Sequence, residues 1–328
     1  MSRIIYKLLI ACCLLIIGFL VWFFIVVITT SEGRVTRVET VQESVPTMEE
    51  QEDRPEVEAE GIESIEEEPE QGQELELEPM ENEGRPTRTN FLAEDGLHFH
   101  SQEAYYSIYF FDHGIWYYNG ESRQMPAASV IKVYIMRYAY SLIETGEISL
   151  DYLIAGQSVE QLIRGMIQWS DNDATNALID YFGMESINQY LWEQGYTDTV
   201  LQRRMLDTQA RAMGLDNYTS TRDAMEFLKR LYSYQFVFPY NEMLEIMSGQ
   251  GINTKIPLFL PAGTPVANKT GELDDVENDI GIVFAEGSAF AIVVLSSGVH
   301  NTESMRHGIG QLALEAFEYV LSLTLGQE

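Results

Sequence analysis

The segment from Glu39 to Glu83 cannot contribute to a folded core, and this restricts globular structure to the rest of the chain. It holds 19 acidic residues against one basic residue, Arg54, and it has four prolines but no aromatic side chain. Such a stretch cannot bury enough apolar surface to offset the entropy lost on ordering, and its charges repel one another. We therefore predict an extended, disordered linker over residues 31–90. An acidic docking tract for a partner is the alternative.

An uncharged run of 21 residues, from Leu8 to Ile28, precedes this linker. At about 1.5 Å rise per residue, a helix of this length crosses a hydrocarbon layer of roughly 30 Å. Basic residues precede the run and an acidic stretch follows it, so we predict a cytoplasmic N-terminus at 1–7, a single transmembrane helix at 8–30 and an extracellular remainder. Cleavage and lipidation at Cys12 is an alternative that the length of the apolar run disfavours.

The composition of the whole chain excludes several classes of function. Its 51 acidic and 20 basic residues give a formal net charge of -31, so a phosphate backbone would be repelled and nucleic-acid binding is not expected. Cys12 and Cys13, its two cysteines, both lie in the apolar run, which leaves the rest of the chain without a disulfide or a thiolate metal site. His98 and His100 form a pair, but no third ligand has metal-site spacing with them. We predict no metal and no cofactor.

Residues 91–328 have the composition of a globular domain, and their apolar patterns predict the order of its elements. Runs of β-branched and aromatic residues predict one β-hairpin over 105–118 and a second over 281–296. Helical patterns occur at 129–144, 159–168, 172–182, 185–193, 220–233, 240–247 and 304–322. Strands at both ends of the domain predict an antiparallel sheet assembled from the two termini, with a mostly helical insertion, which is an α+β arrangement.

One predicted helix, beginning at Ser129, is apolar on every side and therefore belongs in the interior of the domain. It contains Lys132, whose ammonium group is costly to bury without partners. The spacing of three residues puts both side chains on one face at the helix N-terminus, where free N–H groups and the helix dipole favour an oxyanion. This pattern suggests a serine nucleophile whose proton passes to a desolvated lysine. An N-cap serine followed by a solvated lysine is the non-catalytic alternative.

Two later tripeptides add to this pair. Ser170-Asp171-Asn172 lies between two amphipathic helices, and Lys269-Thr270-Gly271 lies on a predicted strand before the second hairpin. Each tripeptide alone is typical of a helix cap or of a strand that ends in a turn. At ordinary residue usage, each is expected by chance in about one of twenty-five chains of this length, and all three motifs in this order are far rarer.

Together, Ser129-Val130-Ile131-Lys132, Ser170-Asp171-Asn172 and Lys269-Thr270-Gly271 resemble the catalytic motifs of class A β-lactamases and penicillin-binding proteins. The similarity extends over essentially all of 91–328. It implies a three-layer α/β sandwich, in which a five-stranded antiparallel sheet with flanking helices packs beside an all-helical lobe. The active site would lie between the sheet and the lobe.

The resemblance also implies how acyl transfer would proceed. Ser129 would be the acylated nucleophile, and Lys132 would accept its proton. Ser170 would pass a proton to the leaving nitrogen. Lys269, from the third motif, would complete the catalytic set.

Four further residues would hold the substrate. Asn172 would bind the substrate amide, and Thr270, followed by Gly271, would bind the substrate carboxylate together with Lys269. The backbone N–H of Glu272 would form an oxyanion hole with that of the nucleophile. A carboxylate at position 272 is unusual beside an anionic substrate, and we expect it to restrict the range of substrates that the site binds.

The sequence departs from the family in one loop. Class A β-lactamases carry a glutamate and an asparagine between the second and third motifs, and these activate the water that releases the acyl group. Aligned without gaps, this chain has Met205 and Gln209 at those positions, and neither side chain can act as a general base. Asp207 is the single carboxylate from Arg203 through Leu215 and is the candidate substitute for the missing glutamate. Its alternative role is a surface salt bridge to Arg203 or Arg204.

These features predict a membrane-anchored serine hydrolase that forms an acyl-enzyme on β-lactams and hydrolyses it slowly. The alternative with the same chemistry is a D-alanyl-D-alanine peptidase or related esterase that acts on peptidoglycan stem peptides. A β-lactam- or wall-binding sensor without turnover is a third possibility. The expected partners are a small-molecule β-lactam or a stem peptide, and the membrane through the N-terminal helix.

Overall fold

The computed structural model describes residues 99–119 and 122–325. The predicted transmembrane helix and acidic linker lie outside these residues, so both stay predictions, as do the predicted domain boundaries. Among the helices of the described part, none combines the length and the hydropathy that a membrane crossing requires.

A five-stranded antiparallel sheet organises the described residues, with the strand order β2-β1-β9-β8-β7. Its members are β1 (Ser101–Phe110), β2 (Ile115–Tyr118), β7 (Val266–Leu273), β8 (Val276–Ala285) and β9 (Ser288–Val299). Two short ladders lie outside this sheet and pair β3 (Met125–Pro126) with β6 (Tyr218–Thr219) and β4 (Leu153–Ile154) with β5 (Gln157–Ser158).

The described residues also form eight α-helices. They are α1 (Lys132–Glu144), α2 (Val159–Gln168), α3 (Asn172–Phe182), α4 (Met184–Glu193), α5 (Thr208–Ala212), α6 (Thr221–Ser233), α7 (Tyr240–Ser248) and α8 (Thr302–Leu325). Two 3₁₀ turns, Ala128–Ile131 and Ile256–Phe259, precede α1 and β7.

The predicted sheet is confirmed. Both predicted hairpins form, with Tyr109 opposite Trp116 in the first and Phe284 opposite Ala289 in the second. β1 pairs with β9 along almost its whole length, so the two ends of the domain meet in the middle of the sheet. β1 and β9 pair despite their separation in sequence because the alternating apolar residues of both strands are buried in the same cores.

Apolar side chains are buried on both faces of the sheet, which accounts for the layers. On one face, Ile292 and Val294 of β9 pack with apolar residues of α8 such as Ile309. On the other face, Val293 and Leu295 pack with the core of the helical lobe. The alternation of neighbouring β9 residues between two cores follows from the two-residue period of a strand.

Two local features differ from the sequence-based expectation. The α-helix predicted to begin at Ser129 begins at Lys132, because residues 128–131 form a 3₁₀ turn. The short helix α5 was not predicted, since a helix of five residues is too short for an apolar periodicity. It is stabilised at its start by Asp207, whose carboxylate accepts the N–H of Ala210 at 2.9 Å.

Candidate active site

The 3₁₀ turn before α1 presents Ser129, which is partly exposed, while Lys132 is completely buried. Ala128 adopts a φ of 48°, in the left-handed region that non-glycine residues rarely occupy. Such strain is found where the surrounding structure fixes a functional geometry. The side-chain amide of Asn278, on β8, donates to the carbonyl of Pro126 at 2.8 Å and so ties the segment before the turn to the sheet.

Strand β7 packs directly against this turn at Gly271. A Cβ atom at Gly271 would lie 2.9 Å from the carbonyl oxygen of Ala127 and 3.2 Å from the backbone nitrogen of Ser129. Contacts this short require a glycine, because the backbone of β7 and the backbone of the turn approach each other with no room for a side chain. The first and third motifs are therefore adjacent in space.

The ammonium group of Lys132 is held by the second motif. Its Nζ atom donates to the carbonyl oxygen of Ser170 at 2.7 Å, to Ser170 Oγ at 3.1 Å and to Asn172 Oδ1 at 2.9 Å. Three acceptors match the three donors of an ammonium group, which compensates for its burial. Burial lowers the pKa of Lys132 to about 7, although the charge of Asp171 opposes the shift.

Lys269, from the third motif, also contacts the hydroxyl of Ser170. Lys269 Nζ donates to Ser170 Oγ at 3.1 Å and to the carbonyl oxygen of Thr270 at 2.9 Å. Burial and the neighbouring charge of Lys132 hold the pKa of Lys269 well below its usual value. Both lysines therefore converge on one hydroxyl, across separations of 38 and 99 residues in the sequence.

Ser170 is oriented by a strained turn and a helix cap. Its φ of 56° lies in the left-handed region. The next residue, Asp171, caps α3 by accepting the N–H groups of Asp173 at 2.8 Å and Ala174 at 3.0 Å. A serine hydroxyl has two acceptor positions and one proton. With both lysines donating to it, Ser170 Oγ keeps its own proton available for transfer to a substrate.

The loop that follows the second motif is fixed from α3. Asn176 accepts the N–H of Met205 at 2.8 Å and donates to its carbonyl oxygen at 3.2 Å. Because Asn176 lies one helical turn after Asn172, this double contact places the backbone of Met205 one turn from the residue that binds Lys132. The side chain of Met205 is buried, whereas Gln209 is exposed on α5.

Asp207 is exposed, and its carboxylate caps α5 as described above. The alternative salt bridges predicted for it are wrong, because Arg203 binds Asp216 at 2.7 Å and Arg204 binds Asp180 at 2.8 Å. In the folded chain each arginine pairs with a carboxylate that is distant in sequence, and neither pairs with Asp207. The capping bond gives Asp207 a structural role, and its assignment as a catalytic base stays a prediction.

The remaining motif residues lie on the face of β7 that points away from Ser129's turn. Thr270 is buried and lies opposite Asp279 of β8, and Glu272 lies opposite Glu277. Glu272 binds Lys255, a fully buried lysine to which the sequence-based reasoning gave no role. The small number of lysines could have drawn attention to Lys255, since the chain has five lysines and four of them lie in the globular part.

Comparison with known proteins shows a family and a shared fold. A sequence model of the "Beta-lactamase enzyme family" matches residues 97–320. PBP-A has 24% sequence identity and a TM-score of 0.61, over 67% of this chain and 90% of PBP-A. A β-lactamase from Chitinophaga pinensis has 20% identity and a TM-score of 0.62, over 66% of this chain and 94% of its own. TLA-1 extended-spectrum β-lactamase has 18% identity and a TM-score of 0.62, over 66% of this chain and 92% of its own.

A search of curated proteins found no significant match. At these identities the solved structures show a shared fold, while the family is shown by the sequence match, which covers more than half of the chain. The three motifs that suggested the resemblance lie within the matched range and meet in the structure. The chain belongs to the β-lactamase enzyme family.

Proposed function

We propose that this protein is a serine hydrolase that is acylated at Ser129 and that β-lactams are substrates whose acyl group it releases slowly. The observation that supports this most strongly is the shared contact of Lys132 and Lys269 with Ser170 Oγ, beside the turn that carries Ser129. It supplies a proton acceptor and a proton donor next to an accessible hydroxyl.

In the first step, neutral Lys132 takes the proton of Ser129 Oγ while that oxygen attacks the carbonyl carbon of the substrate. The pKa of Lys132, about 7, suits a group that must be neutral before the step and protonated after it. The new C–O bond gives a tetrahedral oxyanion, which the backbone N–H groups of Ser129 and Glu272 would stabilise. The close approach at Gly271 supports this pairing of β7 with the turn.

In the second step, the C–N bond breaks and the leaving nitrogen takes the proton of Ser170. The proton is replaced from protonated Lys132, which returns to its neutral form. Atoms and charges balance, and the product is an ester of Ser129. This relay needs the direct contact between Lys132 Nζ and Ser170 Oγ at 3.1 Å.

Release of the acyl group needs an activated water, and the loop residues support slow release. The buried thioether of Met205 cannot act as a base. Asp207 is the carboxylate of the same loop, but its capping bond to Ala210 disfavours a role in water activation. A mutant of PBP-A has been solved as an acyl-enzyme complex with penicillin G, which supports β-lactams as acylating ligands in this fold.

Incubation with a fluorescent penicillin, followed by intact-mass measurement over time, tests this proposal. We expect the wild-type protein to gain one penicilloyl group that persists for many minutes, and Ser129→Ala to gain none. A rapidly cleared adduct would refute slow release. Absence of an adduct on the wild type would contradict acylation itself.

A peptidase or esterase that acts on peptidoglycan stem peptides is the second candidate. Met205 favours it, because this residue stands where class A β-lactamases carry the glutamate that activates water for release of the acyl group. Hydrolysis of nitrocefin, compared with release of D-alanine from a model peptide, separates the two activities. Stoichiometric labelling without turnover of either substrate would instead support a β-lactam- or wall-binding sensor.

The proposal includes a membrane tether at residues 8–30, with the globular part on the outer side. The uncharged run and the acidic linker after it support this. Full-length protein should stay in the membrane fraction after a high-salt wash, and protease added to intact cells should release the globular part. Recovery in the soluble fraction, or protection from the protease, would contradict the tether or its orientation.

A further inference from the structure

Four charged side chains cluster around position 272 of β7, immediately after the third motif, and the proposed mechanism gives these side chains no role. We call it the β7 charge cluster, and its members are Lys255, Glu272, Glu277 and Arg306. Lys255 Nζ lies 2.9 Å from Glu272 Oε1 and 2.8 Å from Glu277 Oε2. Arg306 Nη2 lies 2.8 Å from Glu277 Oε1 and 3.3 Å from Glu272 Oε1.

The register of the sheet brings the carboxylates of this cluster together. Glu272 and Glu277 are opposite each other on β7 and β8, and Thr270 is opposite Asp279 on the same face. Like charges directly opposite each other repel. Lys255, before the second 3₁₀ turn, and Arg306, on α8, offset this repulsion, so each cation is bound to carboxylates of the protein itself.

The donors of Lys255 are taken within the described residues. Its Nζ atom donates to Glu272 Oε1 at 2.9 Å and to the carbonyl oxygens of Asn278 at 3.2 Å and Gly271 at 3.4 Å, while Glu277 is an ion-pair partner. An ammonium group has three N–H donors, and these three acceptors take them. Lys255 is also completely buried, so it offers no free donor to an anionic ligand.

Glu272 is the exposed carboxylate of the cluster, since 40% of its side chain is accessible against 4% for Glu277. Burial would raise the pKa of Glu272, but Lys255 and Arg306 outweigh it and hold this pKa below its usual value. A ligand that approaches this face of β7 therefore meets an ionised carboxylate.

A substrate of Ser129 has to lie along the edge of β7, and Glu272 projects from the other face of the same strand, close enough for its charge to act on Lys269. β7 is the edge strand of the sheet in the described residues, and Gly271 lies against the turn that carries Ser129. The free N–H and C=O groups of an edge strand pair with an extended ligand. A ligand aligned in this way places its substituents beside Thr270 and Glu272.

We propose that Glu272 sets the charge preference of the site: it disfavours substrates with a carboxylate beside Thr270 and favours acyl donors that are neutral or cationic there. This inference rests on the proposed acylation of Ser129. It assigns the substrate class as esters, amides or lactams without an anionic group at that position. Benzylpenicillin carries such a carboxylate, so repulsion by Glu272 should slow its acylation of Ser129.

A matched pair of ligands tests this preference. Benzylpenicillin and its methyl ester differ by one negative charge, and intact-mass time courses give the acylation rate constant for each. The ratio of the two constants, benzylpenicillin over ester, should rise about fivefold in Glu272→Gln relative to wild type, because the variant removes one nearby like charge. Glu185→Gln, an exposed change on α4, serves as the matched control and should leave the ratio at the wild-type value.

A second measurement uses the wild type alone. Raising the salt concentration screens the repulsion between Glu272 and the ligand carboxylate, so the same ratio should rise with added sodium chloride. A ratio that stays within twofold in Glu272→Gln, or falls with salt, overturns the inference while acylation stands. A wild type that forms no adduct with either ligand refutes the proposed function instead.

Discussion

Lys132 and Lys269 donate hydrogen bonds to the same atom, Ser170 Oγ, each over 3.1 Å. Both ammonium groups lie in the interior, where the loss of hydration disfavours the charged form. The pKa of Lys132 falls to about 7 through burial, and burial together with the charge of Lys132 also holds the pKa of Lys269 well below its usual value. The site therefore holds a lysine that can be neutral near pH 7, despite the charge of Asp171.

The acylation rate should depend on pH through Lys132. In the proposed mechanism the neutral form accepts the proton of Ser129, and the neutral fraction rises with pH until the pKa, about 7, has been passed. The rate constant should thus increase about tenfold per unit at acidic pH and level off above about pH 8. Intact-mass time courses at several pH values measure it. A rate that is flat or declines from pH 6 to 8 would show that neutral Lys132 is not the base.

Replacing Ser170 by alanine should slow acylation about a hundredfold. Both lysines lose their shared acceptor, and in the proposed relay the leaving nitrogen loses its proton donor. Loss of these hydrogen bonds should lower the free energy of unfolding by about 1–2 kcal/mol. Rate constants from labelling and thermal unfolding measure the two effects, with Ser149→Ala, an exposed serine, as control. If Ser170→Ala acylates within threefold of wild type, the proton relay is wrong.

Introducing a carboxylate at position 205 should speed release of the acyl group. Asn176 fixes the backbone of Met205 one helical turn from Asn172, so we expect Met205→Glu to place a base near the ester proposed at Ser129. We expect adduct lifetimes at least about tenfold shorter. The free energy of unfolding should fall by about 1–3 kcal/mol, because a polar group enters a buried position.

Leu206→Glu is the matched control for this change, because it adds the same charge one residue further along, at a side chain that is 70% exposed. It should leave the adduct lifetime as in the wild type. Equal lifetimes for wild type and a folded Met205→Glu would show that the loop does not reach the acyl group.

A side chain at Gly271 should impair the site more than the fold. Gly271→Ala would force its Cβ to within 2.9 Å of the carbonyl oxygen of Ala127, so β7 or the turn of Ser129 has to move. We expect acylation to fall at least about tenfold and stability to fall by about 1–3 kcal/mol. Labelling rates and denaturant unfolding measure both.

Gly165→Ala is a control for this substitution. Gly165 lies inside α2, and its Cβ would meet its nearest neighbours, Ala174 and Asp171, at an ordinary contact distance of 3.8 Å. Alanine is also favoured over glycine in a helix interior by up to about 1 kcal/mol. The control should keep wild-type acylation. Wild-type acylation by Gly271→Ala itself would contradict the close packing of β7 against the turn.

Much of the fold could be predicted from the sequence because its signals are local. β-Branched and aromatic runs identified both hairpins, and the all-round apolar pattern of α1 placed it in the interior, where Tyr134 and Ile135 are completely buried. The start of α1 was missed by three residues because a 3₁₀ turn and a first α-helical turn have the same residue preferences.

The site was predicted in part, through residue types and their order. Three short motifs identified the lysines and Ser170, but their meeting at one oxygen depends on the left-handed backbone of Ser170 and on a pairing over 99 residues. The β7 charge cluster has no motif at all, because Lys255 and Arg306 reach Glu272 only through the packing of a turn and of α8 against the sheet. Tertiary contacts of this kind have no local sequence pattern.

The position of the acyl group decides whether Ser129 is the nucleophile. Wild-type protein and Ser129→Ala would be incubated with benzylpenicillin, digested, and mapped by tandem mass spectrometry. Acylation at Ser129 predicts one added penicilloyl group on the hydroxyl of Ser129 in the wild type and an unmodified peptide in the variant. Modification of a different residue, or equal labelling of Ser129→Ala, would contradict it.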